Sequence, residues 1–91
     1  MKAILMERLG CSEKEAREIA QDLAEISDEL KGVRDAWLDN SSYDGNVSYY
    51  GYSIHSLMED FDMKFTGALL TLDWLIKQPE EARKALSYGI R

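Results

Sequence analysis

Apolar residues recur at Ala16, Ile19, Leu23, Ile26, Leu30, Val33 and Trp37, alternately three and four apart, with charged residues between them. That spacing is the heptad seam of an amphipathic helix. Two arrangements satisfy it. One is a single helix over about 12–39, which the unbroken phase favours. The other is two helices parted at Ser27-Asp28-Glu29, a good N-cap followed by an acidic first turn. Upstream, residues 2–9 read as a short helix closed by Gly10 at the C′ position. Ser12-Glu13-Lys14-Glu15 then has the form of a capping box, in which serine accepts from the third amide and Glu15 reaches back.

The second half has a different pattern. Ser53 is placed to cap a helix over 54–61, with Ile54, Leu57, Met58 and Phe61 on one face. After Asp62-Met63-Lys64 a further helix, about 65–77, carries Phe65, Ala68, Leu69, Leu70, Leu72, Trp74, Leu75 and Ile76. Apolar residues cover more than half of its circumference, which predicts the central, most buried helix. Phe61, Leu69, Leu72 and Trp74 are the expected core of this half. Pro79 suits the first position of a last helix, with Glu80 and Glu81 at its positive end and Ala82, Ala85 and Leu86 facing inward. Residues 40–52 connect the halves. Asp44-Gly45 is a turn signal there, and the flanking Tyr and Val residues could pair as a minor hairpin.

These elements predict an all-α fold, a small bundle of four to six helices in one domain spanning 1–91. It comprises helical halves 2–39 and 53–90 with the connection between them. A chain of 91 residues buries roughly 60–65% of its unfolded surface, enough for one modest core. Charge narrows the partners. Asp and Glu number 17 against 11 Lys and Arg, a net charge of −6. Such a surface repels nucleic acid and anionic membranes unless its cations are segregated, and here they are scattered from Lys2 to Arg91. Cys11 is the one cysteine and His55 the one histidine. No internal disulfide can form, and a Cys/His zinc site lacks at least half its ligands. The start has an apolar run too short for a signal peptide, and no stretch reaches the ~20 apolar residues of a membrane span. The expected location is the cytoplasm, and neither a metal nor another cofactor is expected.

Candidate chemistry is sparse. Asn40-Ser41-Ser42-Tyr43-Asp44-Gly45 resembles the start of a calcium loop with its glycine in place. Position 12 then falls on Gly51, where a bidentate Glu is required, so an ordinary turn is the better reading. His55 lies near Ser53, Ser56, Glu59 and Asp60 without the strand–turn–helix setting of a nucleophile, and on a helix it pairs with Glu59 instead. No catalytic residue is expected and the chain does not read as an enzyme. Cys11, beside a helix start, reads as a small apolar plug rather than a reactive thiol. Residues 53–77 have a helix-turn-helix outline. The second helix, however, offers Thr66, Gly67, Thr71 and Asp73 to a groove, with Lys64 and Lys77 only at its ends, so specific DNA binding is not expected. Glu13, Glu15, Glu18, Asp22, Glu25, Asp28 and Glu29 form an acidic surface whose ordinary explanation is a solvated face. Tyr43, Tyr49, Tyr50 and Tyr52 cluster in the connection. Tyrosines combine large contact area with a polar handle and are enriched at binding surfaces. They are the candidate interaction surface.

Two resemblances add to this. Leu9-Gly10-Cys11-Ser12, Ala16, Ala20 and Trp37-Leu38 resemble the ubiquitin-associated three-helix module over residues 5–38. Cys11 stands where that family's loop has phenylalanine, which puts its binding surface in doubt here. Over most of the chain, Trp37-Leu38, Gly51-Tyr52-Ser53, Leu57-Met58, Ala68-Leu69, Leu72-Asp73-Trp74-Leu75, Pro79-Glu80 and Ala82 resemble short uncharacterised helical proteins of bacterial and phage mobile elements. That resemblance implies a bacterial origin and no particular activity. The expected function is a non-catalytic protein–protein interaction or regulatory module, with a protein partner or a homodimer. The alternatives are a helix-turn-helix DNA-binding regulator and an acidic inhibitor that occupies a basic nucleic-acid site on another protein.

Overall fold

The computed structural model describes Met6, residues 10–39 and residues 47–88. The described residues form five helices and one two-stranded hairpin, the all-α class expected. The chain divides into two compact units, Met1–Tyr43 and Asp44–Arg91.

The first unit contains α1 (Glu13–Ala24) and α2 (Asp28–Leu38). Met6 is helical and Gly10 has φ +66°, with its N–H donating to the Met6 carbonyl at 3.1 Å. A left-handed residue that bonds back one turn is the glycine helix stop expected at this position; the remainder of 2–9 lies outside the described residues. Ser12 caps α1, its Oγ accepting from the Glu15 N–H at 3.2 Å and donating to Glu15 Oε1 at 2.9 Å. The long single helix favoured by the periodicity is not formed. The chain leaves the helix at Glu25, and Ser27 takes extended dihedrals (φ −58°, ψ 150°) as the N-cap of α2. Leu23, Ile26 and Leu30 are all buried. The seam therefore keeps its 3–4 phase through the break, which is why the pattern could not reveal it. The break leaves carbonyls of α1 without helical donors. The Leu23 carbonyl is met by the Ile26 N–H at 3.4 Å and by Arg34 Nη1 from α2 at 2.8 Å.

The second unit runs β1 (Ser48–Tyr49), β2 (Tyr52–Ser53), α3 (Ile54–Asp60), α4 (Phe65–Lys77) and α5 (Pro79–Ser87). The strands are antiparallel, Ser48 opposite Ser53 and Tyr49 opposite Tyr52. The turn is Tyr50-Gly51, with φ 55° and 88°. Asp44-Gly45, the turn expected from sequence, lies outside the described residues. Ser53 ends β2 and caps α3 through a reciprocal box with Ser56, the two N–H···Oγ bonds measuring 3.0 and 2.9 Å. Asp62, at φ 58°, reverses the chain after α3, a conformation that a short polar side chain tolerates better than most.

Helix α4 contacts α3, α5 and both strands, the central position its composition predicts. Phe65, Ala68, Leu69, Leu72 and Leu75 are buried along it, as are Ile54 and Leu57 of α3 and Ala82 and Leu86 of α5. Two expected core residues differ. Trp74 and Phe61 are only half-buried. Trp74 lies on the opposite side of α4 from Phe65 and Leu72, and its indole N–H donates to Gln78 Oε1 at 3.0 Å. Phe61 is the cap residue after α3 and sets its ring edgewise to Tyr52.

Candidate interaction surface

A two-residue turn with positive φ at both positions is type I′, whose twist matches that of the flanking strands and which favours Asn-Gly. The first position here is tyrosine, a bulky residue for which a left-handed backbone costs roughly 1–2 kcal/mol. Tyr50 is 53% exposed, so this strain is not offset by burial of the ring. It is offset in part by a cation: the Arg83 guanidinium of α5 lies 5.4 Å from the Tyr50 ring centroid. Such contacts contribute about 0.5–1 kcal/mol at exposed sites.

The neighbouring tyrosines are held differently. Tyr49 and Tyr52 face each other across the strands and are half-buried. Tyr52 packs against Phe61 with ring centroids 6.2 Å apart and an interplanar angle of 61°, an edge-to-face pair. Of the four candidate tyrosines, Tyr49, Tyr50 and Tyr52 are thus brought together on one hairpin, with Tyr50 at its tip. Tyr43 lies outside the described residues. The hairpin is anchored on α4 through both strands, so the tip is carried by the core helix rather than by a free loop.

The other sequence candidates fall out as follows. Thr66 and Asp73, expected on a groove-reading face of α4, are buried instead. Asp73 is ion-paired with Lys77 at 3.0 Å, and Thr66 Oγ1 is buried without a hydrogen-bond partner. Thr71 donates its hydroxyl to the Gly67 carbonyl at 2.7 Å. The helix-turn-helix outline exists, but its second helix is the core. His55 Nε2 and Glu59 Oε1 pair at 3.0 Å with both side chains well exposed, one helical turn apart. Cys11 is half-buried and free. The start of the calcium-like loop, 40–45, lies outside the described residues, and among those described no group of three His, Cys, Asp or Glu side chains is set to hold a metal. Among the described residues no helix is long and apolar enough to cross a membrane.

Comparison with protein-family models, curated proteins and solved structures found no match.

The acidic residues of the first unit are all exposed among the described residues. Glu15, Glu18, Asp22 and Glu25 follow one another three or four apart and so share one stripe of α1. Glu13 lies off that stripe and pairs with Arg17 at 3.4 Å. Asp28 pairs with Lys31 at 2.6 Å; the hydrogen bond from that ammonium, and then its charge, hold the Asp28 carboxyl below its ordinary pKa. A surface depression of about 520 Å³ on α1 is lined, among the described residues, by Lys14, Arg17, Glu18 and Gln21, with no consistent sign of charge.

Sequence reasoning found the tyrosines and missed Arg83. Nothing local marks that residue. It follows Glu80 and Glu81 in an ordinary amphipathic helix, and its aromatic partner is far away in the chain. Only the fold brings the two together.

Proposed function

We propose that the protein is a non-catalytic protein–protein interaction module that docks its partner on the tyrosine hairpin of the second unit. The observation that carries this reading is Tyr50: a large aromatic ring kept at the surface, on a strained turn, beneath an arginine. Tyrosine and arginine are enriched where interfaces concentrate their binding energy. A hairpin already anchored on the core helix loses little conformational freedom when it binds. A regulatory role, a bacterial origin and a cytoplasmic location belong to the same proposal. The location is supported by the single cysteine, which leaves no internal disulfide to be made in an oxidising compartment.

Of the alternatives, the acidic inhibitor is favoured by the exposed stripe Glu15, Glu18, Asp22 and Glu25, which would face a basic site. DNA reading is disfavoured by the burial of Thr66 and Asp73 in α4.

Site-specific photo-crosslinking separates the readings. A benzophenone side chain is placed at position 50 in one variant and at position 22 in another, and each full-length chain is expressed in its native cell. The interaction reading expects a discrete protein adduct from position 50 and none from 22. An adduct from position 22 alone would move the function to the acidic stripe. A nucleic-acid adduct from either would favour the regulator, and no adduct from position 50 would remove the hairpin as the docking surface.

A further inference from the structure

The cations of the described helices are mostly matched to carboxylates on their own helix: Arg17 with Glu13, Lys31 with Asp28, Arg34 with Asp35 and Lys77 with Asp73. In a chain with 17 acidic residues against 11 Lys and Arg, that is the expected state. Lys14, Lys84 and Arg83 have no such ion pair among the described residues, and Arg83 is the one of these three that lies over an aromatic ring. Glu80 is three residues away on the same helical face, close enough for an ion pair. No carboxylate among the described residues pairs with Arg83, and its guanidinium lies over the Tyr50 ring instead.

A cation–π contact at 5.4 Å from the ring centroid uses none of the guanidinium's N–H donors. Those donors form a planar fork that matches the two oxygens of a carboxylate. Beside it, the exposed ring of Tyr50 and the half-buried Tyr49 offer apolar contact.

We infer that the Arg83–Tyr50 contact is the anchoring point for an acidic peptide segment of the partner, an Asp or Glu side chain taken by the Arg83 fork with a neighbouring apolar residue laid on Tyr50 and Tyr49. This inference rests on the hairpin being the docking surface. The chain's own charge argues for a carboxylate rather than a phosphate: the net charge of −6, with Glu80 and Glu81 on the same helix, repels a dianion about twice as strongly as a monoanion. It also predicts that affinity depends on the arginine as a fork, not on a general positive field.

The test is selection of a random dodecapeptide display library on the full-length protein. It is followed by anisotropy titration of the enriched peptides against wild type and the variants Arg83→Gln, Arg83→Lys and Tyr50→Asn. Arg83 and Tyr50 are exposed, and asparagine suits the left-handed turn position, so these variants keep the fold, checked by circular dichroism. The expected result is peptides that share an acidic residue next to an apolar one. Arg83→Gln weakens them about tenfold and Arg83→Lys restores affinity only in part. Replacing the acidic residue by its amide gives the same loss, and the two losses do not add. Peptides that lose affinity with Tyr50→Asn but not with Arg83→Gln would overturn the acidic-peptide inference and leave the hairpin as the docking surface. An absence of any Tyr50-dependent binder would overturn both.

Discussion

Replacing Leu72 by alanine tests the claim that α4 is the structural centre of the second unit. Leu72 is fully buried, on a helix that contacts every other element of the unit. The substitution removes a methine and two methyl groups from water-free surroundings, about 2.4 kcal/mol of transfer free energy at ~0.8 kcal/mol per carbon group. The surrounding helices relax only partly, and the residual cavity raises the loss to about 3–4 kcal/mol. A domain of this length has a stability of roughly 5–14 kcal/mol, so the substitution removes a large part of it. In urea, with m of roughly 1–1.5 kcal/mol/M, the midpoint should fall by roughly 2–4 M with m unchanged. Trp74 fluorescence in a Trp37→Phe background reports the unit that contains α4. Leu70→Ala is the internal control: the same chemistry two residues away at a half-buried position, expected to lose about 1 kcal/mol. A loss below ~0.5 kcal/mol at Leu72, or equal losses at both positions, would refute the placement of α4 at the centre.

Thr66→Val should stabilise the protein by about 1 kcal/mol, because the buried Oγ1 has no hydrogen-bond partner and valine has nearly the same shape without the desolvated hydroxyl; destabilisation above ~1 kcal/mol in the same melts would mean the hydroxyl is satisfied. Arg34→Met should lose about 1–2 kcal/mol by removing the guanidinium from the Leu23 carbonyl, with faster hydrogen exchange of the Glu25 and Ile26 amides; unchanged exchange would dissociate Arg34 from the helix break. Gly51→Ala should lose about 1 kcal/mol, since φ +88° is costly for any residue with a Cβ, and a neutral result would mean the turn is not type I′. Asp28 should titrate below the ordinary aspartate range and return toward it in Lys31→Gln, as read from its carboxyl carbon shift. Because its folded pKa is the lower one, any stability it lends is present above the unfolded pKa and lost as pH falls through the folded value; an unchanged midpoint in the variant would remove Lys31 as the cause.

Local chemistry was legible in the sequence wherever a few adjacent residues decide the outcome. Gly10 ends a helix because only glycine takes φ +66° without strain. Ser12 and Ser53 start helices because their hydroxyls reach the third amide, and Pro79 opens α5 because it needs no donor there. The central place of α4 was equally plain, since a helix apolar around most of its circumference has nowhere else to go. What tertiary structure decided was of another kind. Leu23, Ile26 and Leu30 keep the same phase whether the helix continues or breaks, so the pattern left both open, and it is the folded chain, with Arg34 of α2 bonded to the Leu23 carbonyl, that has two helices. Trp74 and Phe61 belong to apolar segments, but their positions around α4 and after α3 leave each half-covered. The tyrosines of the connection announced contact area without saying which would be supported. That depends on strands anchored to α4 and on α5 returning Arg83 to the hairpin tip, a contact between residues distant in the chain that no local pattern encodes.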